Sequence, residues 1–367
     1  MSTANTDSAD LKAVTKGGLI REDVMNQIWD ISKIPLPLTD IIGSETSKNA
    51  YKEWTVDALI SPLVLPTALT TIVSNSRVDG SDAAARNDSV TGARVGNHHQ
   101  ISDKIVRISF RADNSDVIGR TKETSYQIMR RQQELRRDVE ASITMNRASV
   151  ADDGSSTAGV AGGLPTWLST NTSMGASGVV GGFQSSGVTL KRTYGTARAL
   201  SEAYVRDAVQ AVFTNGGDPS IMMSVPSVIR RFSEYLFTSS ARVATLYSDV
   251  GDKAEKATAM GSVNVFVTDF GTLKMIPNRL QLPYTGTAAS TTDTYTVQGG
   301  AGTTADIFII DPSYLALSYL KGYRTEDLAR TGLSENKQMS VDWTLVCNTE
   351  KTHAIIGDIL IASAAVA

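Results

Sequence analysis

The sequence predicts an α+β fold. Three observations carry this: segments of period-two alternation at 51–59, 104–112 and 337–347, one long amphipathic helix signal over 121–147, and a block of mixed helix and strand signals over 199–332 that interrupts the rest.

In chain order, residues 1–49 hold few periodic signals. Asp23–Ser32 reads as a short helix. Ile34-Pro35-Leu36-Pro37-Leu38 reads as extended, because each proline lacks an N–H and turns its predecessor away from helix. These residues look like an arm lying on another surface. Tyr51–Leu59 sets Trp54 and Val56 against Glu53 and Asp57, and Lys104–Ala112 sets Val106, Ile108 and Phe110 against Arg107, Ser109 and Arg111, the pattern of half-buried strands. About 44 residues rich in Ser, Asp, Asn, Gly and Ala separate them, a connection long enough to be functional. If the two strands pair, 50–113 is a projecting two-stranded hairpin, which is unstable alone in water and needs a neighbouring subunit to lie on. Its mixed charges, Arg77, Asp79, Asp82, Arg86, Asp88 and Arg94, suit registration between subunits. Solvated decoration is the other reading.

Thr121–Arg147 has neither proline nor glycine, and Ile128, Leu135, Val139 and Ile143 form a stripe along it. Arg130, Arg131, Arg136 and Arg137 sit with Glu134, Asp138 and Glu140. They read either as a solvated face with i,i+4 ion pairs or as an inter-subunit surface. The candidate inter-subunit contacts are therefore Trp54, Arg77, Asp79, Arg86, Arg94, Arg130, Arg131, Glu134, Arg136, Arg137 and Asp138. A Gly/Ser/Thr-rich connector follows over 152–187, with Leu164, Trp167 and Leu168 pinning it down.

Within 199–332, Ser201–Phe213 is a helix, with Val205, Ala208, Val209 and Val212 on one face, Ser201 as N-cap and Asn215-Gly216-Gly217 as stop. Ile221–Val225 is a buried strand, and Pro226 starts a helix through Leu236. Strands follow at Val263–Thr268, Leu273–Ile276, Ile307–Ile310 and Tyr314–Leu320, with a Gly/Thr-rich loop over 284–304. Lys337–Cys347 places Val341, Trp343, Leu345 and Cys347 on one side and is expected to return to the first core, making the mixed unit an insertion.

Composition narrows function. The 367 residues carry Lys+Arg 35 against Asp+Glu 38, a net charge of −3, without the basic excess of a chain whose main task is gripping phosphates. One cysteine and three histidines cannot build an internal disulfide or a Cys/His zinc site. There is no phosphate loop, no GxGxxG after a strand and no GxSxG elbow. Asp269-Phe270-Gly271 lacks the partner motifs that would make it a kinase magnesium site and reads as a turn. The adjacent His98 and His99 would point to opposite faces of a strand. The expectation is a structural protein with no catalytic residues, cofactor or metal. Leu59–Val73 and Ile355–Ala367 are too short and too interrupted to cross a bilayer, and the N-terminus lacks a signal pattern, so no membrane partner and a cytosolic place of action are expected.

The order of parts resembles the tailed-phage major capsid proteins of the Hong Kong 97 fold. Seven segments are similar to the SU10-like phage major capsid family: KEWTVDAL (Lys52–Leu59), NHHQISDK (Asn97–Lys104), ELRRD (Glu134–Asp138), AGGLPTWL (Ala161–Leu168), TNGGDPS (Thr214–Ser220), VTDFGTLKMIPNR (Val267–Arg279) and DPSYLALSYLKGYRTEDLARTG (Asp311–Gly332). The resemblance implies an N-terminal arm (1–49), an extended loop (50–113), a peripheral domain with spine helix and connector (114–198), an inserted axial domain (199–332) and a return to the peripheral domain (333–367). It implies hexameric and pentameric capsomers of the chain itself, closing an icosahedral shell around double-stranded DNA that is contacted non-specifically. A portal at one vertex is a further partner, and there is room for a cement protein outside. The roughly 40 residues before the first resemblance are too few for an internal scaffolding segment, so a separate scaffolding protein is expected. The place would be the virion capsid, assembled in the host bacterial cytoplasm. Two other readings stay open: the shell of a cellular encapsulin-like nanocompartment, and a hydrolase with a dispersed Ser/Asp site.

Overall fold

Residues 35–59, 79–80, 82, 91–117, 119–238, 264–285, 294–295, 302–330 and 332–361 are described by the computed structural model. The helix expected at Asp23–Ser32, and Arg77, Arg86 and Asp88, lie outside these residues. In chain order the elements are β1 (Gly43–Thr46), β2 (Tyr51–Val56), β3 (Ala93–His98), β4 (Gln100–Ser109), α1 (Phe110–Asn114), α2 (Glu123–Thr144), α3 (Leu164–Trp167), β5 (Thr172–Ser173), β6 (Gly182–Phe183), β7 (Thr189–Leu190), α4 (Glu202–Thr214), β8 (Ile221–Ser224), α5 (Pro226–Thr238), β9 (Val265–Thr268), β10 (Gly271–Pro277), β11 (Tyr284–Thr285), β12 (Thr294–Tyr295), β13 (Thr304–Ile310), β14 (Leu315–Asp327), β15 (Ser334–Cys347) and β16 (Ala354–Leu360). The fold is a mixture of helix and strand. Among the described residues no helix is long and apolar enough to cross a membrane.

The described residues divide into two compact units, one from 103–135 and 325–339, the other from 35–102, 136–324 and 340–361. The two units interleave in sequence, and the cuts between them fall inside α2, β4, β14 and β15.

In the larger unit a sheet runs β12-β11-β13-β8-β10-β9, with β16 pairing both β13 and β5. Strand β13 is buried along its whole length and reads as one apolar run. Helices α4 and α5 lay Val205, Val209, Val212, Val228 and Phe232 against Met222, Phe266, Leu273, Ile307, Ile309 and Ile356. Helix α4 starts where the Ser201 side chain accepts from the Ala203 N–H and stops at Gly216, whose φ of 88° suits the left-handed C-terminal turn. Strand β16 pairs with β13 in this sheet, where Ile356 and Ile359 join the same apolar cluster. Gly357 and Asp358 lie together opposite the single residue Asp306, a bulge in β16 that shifts the register between Ala305 and Ile307.

A second sheet has the order β1-β14-β15-β4, with β1 parallel to β14 in the register Gly43↔Ala316 to Thr46↔Tyr319. Here the expected hairpin is corrected. Strand β2 pairs antiparallel with β3, from Tyr51↔His98 to Val56↔Ala93, while β4 neighbours β15. Alternation had shown that one face of the 104–112 segment is buried, but the pairing partner is a separate question that alternation does not answer. The strand also ends early. Ser109 accepts from the Ala112 N–H at 3.2 Å and caps α1, so Phe110–Ala112 are helical.

Near the start of the described chain, Pro37–Ile41 are turned instead of extended. The Asp40 N–H donates to Leu36 O at 3.0 Å and the Ile42 N–H to Leu38 O at 3.1 Å. Proline at the second position of a turn has the φ that the turn needs, and the turn buries Leu36 and Leu38. In the smaller unit, Val106, Ile108, Leu135 and Met339 are buried. The Phe110 N–H donates to Leu333 O at 3.2 Å, and Lys337 pairs with Asp327 at 2.9 Å.

Candidate functional site

The β2–β3 ladder brackets residues 57–92 in sequence, and several independent contacts pin this hairpin root. The Trp54 ring lies 5.3 Å from Trp167, which stacks on Phe183 at 5.8 Å with a 7° interplanar angle. The Tyr51 hydroxyl donates to Gly187 O at 2.8 Å. Asn97 is wholly buried; its amide donates to Leu345 O at 2.8 Å and accepts from the Gly162 N–H at 2.9 Å. Gly96 has no room for a side chain, since a Cβ there would meet the Tyr51 ring at 2.7 Å and Lys52 O at 2.8 Å. His99 sits between Asp342 Oδ1 at 3.1 Å and Ser47 Oγ at 2.9 Å. Burial pushes its pKa below the usual imidazole range, against the pull of Asp342. Leu164, Trp167 and Leu168 are buried, so the connector is held down as its sequence suggested.

The candidate contact residues fall into different settings. Trp54 spends its inner face on the aromatic stack within the chain. The indole N–H groups of Trp54 and Trp167 are buried with no hydrogen-bond partner among the described residues, a state that costs about 1–3 kcal/mol each. Arg94 is exposed and pairs across the ladder with Glu53 at 3.5 Å. Asp79 is exposed. In the smaller unit, Arg131 pairs with Glu134 one turn on, and Arg130 lies over the Tyr126 ring at 5.9 Å. In the larger unit, exposed Arg136 lies over Tyr323 at 5.3 Å, Asp138 is exposed, and Arg137 has no ion pair among the described residues. The structure therefore brings Arg131 to Glu134 by local helix geometry, while it leaves Arg136 and Asp138 facing solvent.

Two polar clusters carry more structural weight than any of these, and no local sequence period singles them out. The Glu140 carboxylate is fully buried. It accepts from the Leu38 N–H at 2.9 Å, the Thr39 N–H at 2.8 Å, the Thr39 hydroxyl and the Asn278 amide at 2.8 Å. Arg192 is also fully buried. It donates to Asp306 Oδ1 at 2.5 Å, Tyr284 Oη at 2.6 Å and Asp358 Oδ1 at 3.5 Å, and it lies over the Tyr194 ring at 4.8 Å. Burial opposes its charge, but Asp306, Tyr284 and Asp358 hold the guanidinium protonated and push its pKa up. The other Asp358 oxygen accepts from the Gly175 and Gly195 N–H groups at 3.0 and 3.1 Å, and Asp358 takes a φ of 64°. One signal could have found this cluster: aspartates set inside apolar runs, as in ADIFII and IIGDIL, must have buried partners.

Two groups of reactive type are buried. The Cys347 thiol is buried and its pKa is raised by burial. His353 is buried and its pKa is lowered to about 4. No cluster of three metal-binding side chains occurs among the described residues. A cavity of about 410 Å³ lies at the hairpin root, lined by Val56, Val95, Trp167 and Phe183, with Asp57, Glu350 and Lys351 at its polar side.

The β2–β3 ladder is thus pinned on the connector, with charged side chains exposed beside it and along α2. The profile of the SU10 major capsid protein family matches residues 2–360, and the chain belongs to that family. It is a capsid shell protein. Solved structures with a similar fold include Microbacterium phage Oxtober96, at 12% identity over 96% of this chain and 99% of that one with a TM-score of 0.54. They also include Gordonia phage Cozz, at 12% identity over 95% and 94% with a TM-score of 0.53. A third is the holo-SrpI encapsulin complex of Synechococcus elongatus PCC 7942, at 8% identity over 97% and 98% with a TM-score of 0.50. No curated protein sequence matches.

Proposed function

We propose that this chain builds hexamers and pentamers that close an icosahedral head around phage double-stranded DNA, as a structural protein without an enzymatic step. The observation that carries the reading is the β2–β3 root, fixed by Trp54, Tyr51 and Asn97, from which 57–92 departs without a sequence pattern that could bury a core of its own. Such a segment gains by lying on a neighbour. In this reading the parts are those of the Hong Kong 97 fold: arm, extended loop, spine helix α2, and peripheral and axial domains. Strands β2 and β3 form the stem of the loop. Arg77, Asp79, Arg86 and Arg94, with the exposed charges of α2, set the register between copies. A separate scaffolding protein, a portal and a cement protein complete the particle, assembled in the host bacterial cytoplasm. DNA is touched without sequence choice, as a net charge of −3 suits.

The test is expression of the full chain with its scaffold and microscopy of the product. Closed shells are expected. Replacing 60–90 by a short Gly-Ser linker leaves β2–β3 intact, and the expected product is a soluble subunit that forms no stable shell. Normal shells from that variant would refute the role of the loop. The match to an encapsulin keeps one alternative in view; it predicts particles that co-purify with a protein cargo in place of DNA.

A further inference from the structure

We propose that the cavity at the hairpin root is a socket that receives an apolar side chain from a second copy of this chain during shell assembly. The inference rests on the shell-protein reading and adds a contact point to it.

The socket lies where three parts of the larger unit meet. The ends of β2 and β3 give Val56, Ala58 and Val95, the connector gives Trp167 and Phe183, and the turn after β15 gives Lys351. At about 410 Å³ it has room for a large side chain and its flanking backbone. One observation points to a missing occupant. Val56, Val95, Trp167 and Phe183 give the cavity an aromatic and apolar side although it opens at the surface, a combination that marks recognition more often than solvent contact.

A second copy is the occupant for three reasons. The family assembles from copies of one chain. The socket is continuous with the stem of the loop proposed to cross onto a neighbour, so the same approach that lays the loop down brings the neighbour's surface to this cavity. Ring contacts are heterologous, pairing a recess on one copy with a different, projecting patch on the next. Projecting apolar side chains are present among the described residues: Leu333 is 83% exposed and Val267 is 68% exposed. An apolar anchor in a pocket carries much of an interface's energy, so filling the pocket should act strongly on assembly and weakly on the fold.

The experiment fills the socket from its rim in the full-length chain. Ala58 lines the cavity and is exposed. Ala58→Trp is compared with Ala58→Ser and with the unaltered chain, by subunit melting temperature and by particle yield in sedimentation and microscopy. The expected result is an unchanged melting temperature for all three, shells from the unaltered chain and from Ala58→Ser, and a yield lower by about tenfold or more from Ala58→Trp. Full shell yield from a folded Ala58→Trp overturns the socket and leaves the shell reading standing. Failure of the unaltered chain to assemble with its scaffold would count against the shell reading itself. If Ala58→Trp does not fold, carbene footprinting of the unaltered chain decides. Val95 and Phe183 should be labelled in free subunits and protected in particles. Equal labelling, or protection that needs another protein added to the purified chain, overturns the assignment to a second copy.

Discussion

Without the Arg192 guanidinium, the buried carboxylates of Asp306 and Asp358 would face each other's charge with no cation between them, and Asp306 Oδ1 would keep only the Tyr284 hydroxyl. Breaking such a network by removing one partner costs about 3–5 kcal/mol, so Arg192→Met is expected to lower the urea midpoint of the subunit by that equivalent. Arg192→Lys recovers only part of the loss, because an ammonium cannot reproduce the planar fork. His353 gives the residue-scale pH effect. Its Nδ1 accepts from the Asp311 N–H at 3.2 Å, and burial lowers its pKa to about 4 from the ordinary 6.5, with Asp311 opposing. The folded pKa lies below the unfolded one, so the unfolded chain binds the extra proton between these values. The stabilisation is complete above pH 6.5 and is lost as pH falls towards 4, at most by about 3 kcal/mol. Asn at this position keeps an acceptor and cannot titrate. Melting temperature against pH should therefore be flatter for His353→Asn across that window; an equal slope would show that other groups set it.

The elements differ in how openly their sequences announced them. Glu140→Ala is expected to release the turn at 36–42 from α2, at a cost of about 2–4 kcal/mol. Faster amide exchange at Leu38 and Thr39, with little change in β8 or β13, is the measurement. Ser201→Ala should cost about 1 kcal/mol through the cap of α4. Helix α4 was legible almost to the residue, since cap, stripe and glycine stop agree. The stripe of α2 was legible for the same reason, and Leu135, Val139 and Ile143 are indeed its buried side. Strand β3, ARVGNH, was not, because its buried positions are Gly96 and Asn97, one chosen for lack of a side chain and the other for bonds to residues far along the chain. The Arg192 cluster was hidden likewise, since it draws on positions 192, 284, 306 and 358, which no local period connects. Of the proposed contact surface, the sequence disclosed the charges and Trp54 but left the strand pairing that aims them undetermined.

For the whole molecule, a net charge of −3 implies that association between copies does not depend on a polyanion bridging them. Shells formed with scaffold should therefore survive nuclease treatment of the subunit pool, with yield unchanged; loss of particles on nuclease addition would show that nucleic acid nucleates them. The parallel ladder joining Gly43–Thr46 to Ala316–Tyr319 has a consequence for synthesis. A strand made early has its partner translated far later, roughly a quarter of a minute to a minute afterwards at bacterial elongation rates of about 5–20 residues per second. Until then β1 has no template, and β4 likewise waits for β15, which is translated after β14. The ribosome thus holds a half-sheet open for most of each round of translation. That exposed edge is where chaperones, or another nascent copy on the same message, would first meet this chain.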